Sequence, residues 1–291
     1  MRLIVGQAAG SGSDVLARLI AQWLSDRLGQ PFVVENRPGA GGNIGTEAAM
    51  RAAPDGHALL AITSTNAINT ALSDTPSFNV VQDITAVASV TMTPYALVVN
   101  PSFGVKTVAE LIDYAKANPG KVNMASGGIG SVSHVSGELF KLIAGVNLVH
   151  VPYQGSTPAH LDLIGGQVEV MFDAMTSSLE HIKSGKLRVL GVTSTKRSEL
   201  LPDIPTIGDF VSGYEVSAWM GFAAPKNTPS DIIDLLNNEI NLALANLKIR
   251  ARLIELGGSV LVRSPSDFAK LIAEDTDKWR KVVRHAGLRP Q

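Results

Sequence analysis

Short apolar runs and amphipathic runs take turns along this chain. Leu3-Ile4-Val5, inside "RLIVG", is followed by "DVLARLIAQWLSDRL", whose apolar positions recur every three or four residues. The pair predicts a strand and then a helix over 14–28. The alternation continues with "PFVVEN" and "GTEAAMRAA", "HALLAIT" and a turn-rich stretch to about residue 80, "YALVVNP" and "VAELIDYAKAN". In the second half "KVNMAS" precedes a helix over 133–144, "LVHVPY" one over 158–164 and "VEVMFD" one over 177–184, and "LRVLGVT" follows. Strand-then-helix order predicts an α/β fold of mostly parallel sheets covered by helices.

Three helix starts carry a hydroxyl residue with an acid three positions on, a spacing that lets side chain and backbone cap each other: Thr107 with Glu110, Thr228 with Asp231, Ser264 with Asp267. Pro229 and Pro265 then fall at the first helical position, where no amide hydrogen is required. Two similar exits from buried strands, "YALVVNPSFGVK" at 95–106 and "MGFAAPKNTP" at 220–229, lie about 120 residues apart, a domain's length. They predict two lobes joined by two crossover strands: residues 1–98 with 225–291, and residues 99–224. The alternative is one continuous doubly wound domain. Two lobes on two connections make a hinge, with the cleft between them as the expected ligand site.

Composition narrows the chemistry. The 291 residues suffice for one large domain or two ordinary ones, and 45% are hydrophobic, yet no run reaches the roughly 18 apolar residues that span a bilayer. Formal net charge is −1 with Lys and Arg scattered, so nucleic acid is not an expected partner. The absence of cysteine excludes disulfides, thiolate metal sites and Cys nucleophiles. "MRLIVG" enters a strand with neither a charged segment nor an apolar leader ahead of it, which fits a cytoplasmic protein or one whose signal has been trimmed.

Candidate chemistry lies in the loops. "QAAGSGSD", residues 7–14, joins a strand to a helix, and "MASGGIGSVSH", residues 124–134, does the same in the second half. In both, glycine lets backbone approach a ligand, serine is placed to cap the helix, and amide hydrogens of the first turn face outward where anions are favoured. Neither loop holds Lys or Arg, which favours a carboxylate over a phosphate. Facing one another across the cleft, the two loops would take a ligand with an anionic group at one or both ends. A third loop, "TSTNAIN" at 63–69, offers Ser64, Thr65 and Asn66 either to a ligand's flank or to local turns. Asp173 ends a strand, where open α/β sheets bind ligands, and either meets a ligand hydroxyl or ammonium or caps the next helix. His134, Tyr153 and Trp219 are open between ligand contact and structural use.

Catalytic and cofactor signatures are weak. No G-x-S-x-G occurs, and none of the six histidines forms H-E-x-x-H, so neither a hydrolase elbow nor a helical metal site is expected. "VVENRPGAGGNIG", with Gly39, Gly41 and Gly45, approaches a dinucleotide loop but gives G-x-G-x-x-x-G with Pro38 inside the turn. A structural turn is the expected use, and an α/β enzyme acting on a nucleotide or carboxylate in the same cleft is the competing class. No cofactor and no metal are expected.

Ordered along nearly the whole chain, "GSGSDVLARLIAQWLSDRLGQPFVVENRPGAGGNIGTEAAMRAAPDGHALL", "MASGGIGSVSHVSGELF", "VHVPYQGSTPAHLDLIGGQVEVMFD" and "GKLRVLGVTSTKRSELLPDIPTI" resemble the extracytoplasmic solute receptors of tripartite tricarboxylate transporters, the Bordetella uptake gene type. The resemblance implies a two-lobed type II periplasmic binding protein fold that closes on a small carboxylate without catalysis and delivers its load to membrane permease subunits; nothing in the sequence suggests oligomerisation, and a monomer is expected. It also implies periplasmic location after removal of a signal peptide. By match, the first loop (Gln7, Ala8, Ala9, Gly10, Ser11, Gly12, Ser13, Asp14) and the second (Ser126, Gly127, Gly128, Gly130, Ser131, with His134) hold the ligand's carboxylates through main-chain amides and waters. Ser64, Thr65, Asn66 and Asp173 are lateral contacts, and Tyr153 and Trp219 complete the candidate site. The family usually shows Pro-aromatic-x-Pro-Gly-Gly where this chain has Gly6-Gln7-Ala8-Ala9-Gly10-Ser11. The first loop is therefore expected to be more flexible and more polar, and ligand identity does not carry over.

Overall fold

A computed structural model describes residues 1–72 and 78–289. The chain divides into two compact units, Met1–Met92 with Trp219–Arg280, and Thr93–Ala218 with Lys281–Arg289.

Unit 1 begins with β1 (Arg2–Val5), α1 (Gly12–Leu28), β2 (Val33–Asn36), α2 (Asn43–Met50), β3 (Ala58–Thr63), α3 (Ser64–Leu72) and the first part of β4 (Ile84–Val99). Unit 2 holds the rest of β4, then α4 (Val108–Ala117), β5 (Val122–Ser126), α5 (Val132–Ala144), β6 (Leu148–Pro152), α6 (Ser156–Ile164), β7 (Val170–Ala174), α7 (Met175–Lys183) and β8 (Arg188–Val192). β9 (Ser217–Pro225) returns the chain to unit 1, which adds α8 (Ser230–Ala245), α9 (Leu247–Glu255), β10 (Ser259–Val260) and α10 (Pro265–Ala286), whose last turn belongs to unit 2.

In unit 1, β1 lies parallel between β2 and β3, β3 pairs antiparallel with β9, and β10 pairs antiparallel with β4. In unit 2, β5 runs parallel to β6 and β7, while β4 pairs antiparallel with β7 and β8. The partners of β4 change across Pro94, which has no amide hydrogen to give a ladder: Thr91 and Met92 pair with β10, and Tyr95 onward with β7. Each sheet is buried by helices. Leu16, Ile20 and Leu24 of α1 and Leu236, Ile240 and Leu244 of α8, spaced three or four apart, pack on Leu3, Val5 and Leu59. In unit 2, Ala159 and Leu163 of α6 and Met175 of α7 pack with Ala125, Met171 and Val98.

Several expectations need correction. Residues 63–69 are not a loop: α3 starts at Ser64, because "STNAINTAL" has no Gly or Pro and buries Ala67, Ile68 and Ala71 at helical spacing. Part of the turn-rich stretch expected up to residue 80 lies outside the described residues. Thr228 caps nothing. Its hydroxyl donates to the Pro225 carbonyl at 2.8 Å, and Pro229 takes the cap position ahead of Ser230 instead of the first helical one. Thr107 receives the Glu110 amide at 3.1 Å, but the returning carboxylate takes the amide of Lys106 at 2.8 Å, one residue early. Ser264 and Pro265 start α10 as expected, with the Asp267 amide on the Ser264 hydroxyl at 3.1 Å.

Candidate functional site

The first loop leaves β1 at Gly6 and enters α1 behind Ser11. Gly10 adopts φ 82°, Ser11 is extended at φ −66° and ψ 159°, and its hydroxyl receives the Asp14 amide at 3.3 Å. Ala8, Ala9, Gly10 and Gly12 are exposed, and the amides of Gly12 and Ser13 open a helix, where no preceding carbonyl claims them. Asp14 points the other way. It is 2% exposed; Oδ2 accepts from Gly10 N–H at 2.9 Å and from Arg18 Nε at 3.0 Å, and Oδ1 from Asn36 Nδ2 at 2.9 Å. Burial alone would raise its pKa, but the hydrogen bonds from Arg18, Gly10 and Asn36 outweigh it and hold the carboxyl below its usual range. Gln7 is tied as well, receiving the Ser13 hydroxyl at 3.1 Å on its side chain and Asn36 Nδ2 at 3.1 Å on its carbonyl.

The glycine cluster at 39–45 underlies this loop. A Cβ on Gly45 would stand 2.8 Å from Gly6 Cα and 3.0 Å from the Arg37 carbonyl, and one on Gly6 would stand 2.8 Å from the Gly42 carbonyl. Gly39, Gly41 and Gly42 have φ of 124°, 63° and 94°. These glycines serve a turn and a close backbone approach, the structural use expected of them.

The second loop repeats the geometry. Gly130 has φ 76°, Ser131 is extended at φ −67° and ψ 157°, and its hydroxyl receives the His134 amide at 3.2 Å. Here His134, 1% exposed, accepts the Gly130 amide on Nδ1 at 3.1 Å. Its ring stacks on His150 of β6 with centroids 3.6 Å apart and planes 12° apart, and its Nε2 lies 3.7 Å from Glu138 Oε1. Burial, then the neighbouring His134 and Lys141, push the His150 pKa down to about 4. Ser126 is fully buried, its Oγ 2.7 Å from His150 Nε2 and receiving the Gly128 amide at 3.1 Å. Burial would raise the Glu138 pKa, but His134 and Lys141 together keep it low.

Most of the other candidate residues have side-chain partners within the fold. Asn66 accepts the Thr63 amide at 2.8 Å and donates to Thr46 at 2.7 Å, and Ser64 is buried while Thr65 is half-buried. Tyr153 donates to Asp162 at 2.7 Å; burial and that carboxylate push its pKa up to about 12. Trp219 is buried, donating Nε1 to Asp275 at 2.8 Å with its ring edge-on to Phe268. Asp173, 1% exposed, receives Ser178 Oγ at 2.6 Å and His160 Nε2 at 2.8 Å on one oxygen. A serine relay needs histidine between serine and acid, and here both bind the acid. Asn36, Arg18, His150, His160 and Ser178 escaped the sequence reading. Asn36 had a signal, since it ends β2 level with Val5 at the mouth of the first loop.

Comparison with solved structures sets this architecture among carboxylate-bound proteins of the same fold. A protein from R. palustris solved with adipate matches with a TM-score of 0.85 at 34% identity, covering 100% of this chain and 98% of that one. MatC from Rhodopseudomonas palustris, solved with bound malate, matches at 0.82 and 32%, covering 97% and 98%. Both share the α/β open-sheet fold that defines periplasmic binding proteins. More narrowly, the chain belongs to the tripartite tricarboxylate transporter receptor family, whose profile matches residues 16–288. It is 39% identical to Protein BugT of Bordetella pertussis over 292 residues, covering 99% of this chain and 89% of that protein.

Proposed function

We propose that this receptor captures a small dicarboxylate of four to six carbons, through main-chain amides at the starts of α1 and α5, and surrenders it unchanged to the permease subunits of its transporter. One observation carries the reading: each unit presents a glycine-serine loop at a helix start, with the nearest acid or imidazole turned inward to brace the loop. The outward donors are therefore neutral amides backed by the helix dipole, which favour a carboxylate without a counter-charged side chain. One anion site in each unit suits a ligand with an acid at each end, as adipate and malate have. The two units act as the lobes that close on it, and the chain works as a periplasmic monomer.

A thermal-shift panel tests this. Adipate, malate, citrate, benzoate, aspartate, NAD and ATP are each added to the purified chain. A ligand at about 100 times its dissociation constant stabilises by roughly 2.7 kcal/mol, so a dicarboxylate should raise the midpoint clearly and be recovered intact. Gly128→Val, at a φ of 131° that side chains rarely adopt, should abolish that rise. A rise with NAD or ATP alone would overturn the receptor reading.

A further inference from the structure

The two loops share one more feature, at the third helical residue. In each, the side chain three positions after the serine cap turns back and accepts the amide hydrogen of the glycine before that cap: Asp14 from Gly10 at 2.9 Å, His134 from Gly130 at 3.1 Å. Each serine amide then bonds the carbonyl three residues back, Ser11 to Ala8 at 3.2 Å and Ser131 to Gly128 at 3.1 Å. A residue of the adjoining strand steadies each side chain, Asn36 for Asp14 and His150 for His134. In both loops the glycine amide is thus taken up by a side chain of the helix that follows.

We propose that Asp14 and His134 are equivalent positioning residues that aim the two sets of amides without touching the ligand. This rests on the receptor reading above. To accept the Gly130 amide, Nδ1 must carry no proton; protonation there sets N–H against N–H and removes the bond. The ring is held in place on both sides: its Nε2 lies 3.7 Å from Glu138 on α5, and its face stacks on His150 of β6 at 3.6 Å.

The first loop supplies the control, because a short oxygen acceptor already spans the same gap at Asp14. His134→Asn should therefore brace Gly130 as the imidazole does. Amide spectra of the unliganded protein should show the Gly130 resonance displaced in His134→Ala and near its wild-type position in His134→Asn, with Gly10 unmoved in both. Adipate affinity, read by calorimetry, should fall about five- to tenfold in His134→Ala, the loss of roughly one hydrogen bond, and change much less in His134→Asn. An unmoved Gly130, or full affinity in a folded His134→Ala, overturns the brace. Failure of adipate and malate to bind while Gly130 still moves in His134→Ala overturns the dicarboxylate reading and leaves the brace standing.

Discussion

The loops before α1 and α5 reach nearly the same backbone, with serine cap angles within two degrees of each other, by different chemistry. The first is held by an ionised carboxylate shared among a guanidinium, an amide side chain and a backbone N–H, under an exposed rim of Ala8, Ala9 and Gly10. The second is held by an imidazole that accepts on Nδ1 and stacks on another, beneath a buried Ser126 and Gly130. What the two have in common is conformation. Side chains around an amide-based site answer for where the backbone points, so they vary in charge while the donors they aim do not.

The largest expected break in the symmetry lies beneath the loops. Gly45→Ala drives a Cβ onto backbone at 2.8 Å that has no side chain to move aside, and should cost about 2–3 kcal/mol in urea unfolding. Gly127→Ala, beside the second loop, meets nothing nearer than Ser156 Oγ at 3.5 Å and should cost less than about 1 kcal/mol. Equal costs would mean the two loops rest on equivalent foundations after all.

Asp14→Ala comes next, stripping the acceptor from three donors at a cost of about 2 kcal/mol. Arg18→Ala should lose under about 1 kcal/mol, since its guanidinium is half exposed and screened. If the two variants unfold alike, the ion pair rather than the loop bond is what Asp14 supplies.

Acid then separates the loops by smaller, graded effects. His150, held down at about 4 from 6.5, stays neutral when folded while the unfolded chain takes up its proton, so stability falls as pH drops from about 6.5 to 4. Asp14 has the depressed carboxyl, whose contribution is present above its ordinary 3.8 and lost as pH falls through the lower folded value. The urea midpoint should thus decline in two windows, and His150→Asn should flatten only the upper one. A single decline below pH 4 in the wild type would show that the stacked imidazoles cost the fold nothing on acidification.

Much of this was legible in the chain. The helices α1, α5, α6 and α7 fell within about two residues of their expected bounds, because their apolar periods and Ser, Gly or Pro starts are local signals. The stretch at 63–69 misled because hydroxyls and amides suit turns as readily as first helical turns, and burial of Ala67 and Ile68 decided between them. The start of β4 at Ile84 and the whole of β10 went unread, since their pairing partners are distant in sequence. At the site, the loops announced themselves through Gly and Ser. That Asp14 and His134 face inward did not, because nothing in "GSD" or "GSVSH" tells which way the third residue turns; Asn36 and His150, brought alongside by sheet register, decide it.

The placement of β9 sets a timetable for the newborn chain. β3 finds its antiparallel neighbour in Leu60↔Ala223 and Thr63↔Met220, a segment the ribosome makes only after β5 to β8 have emerged. Until then the edge of β3 carries open hydrogen-bonding groups, and Leu59 and Ala61 lack the cover of α8 and α9. Unit 2 lies almost wholly within one continuous stretch and is complete but for Lys281–Arg289 before unit 1 can close. The unit that the chain begins is thus the unit it finishes last, and the free edge of β3 is the part of the sheet left open longest.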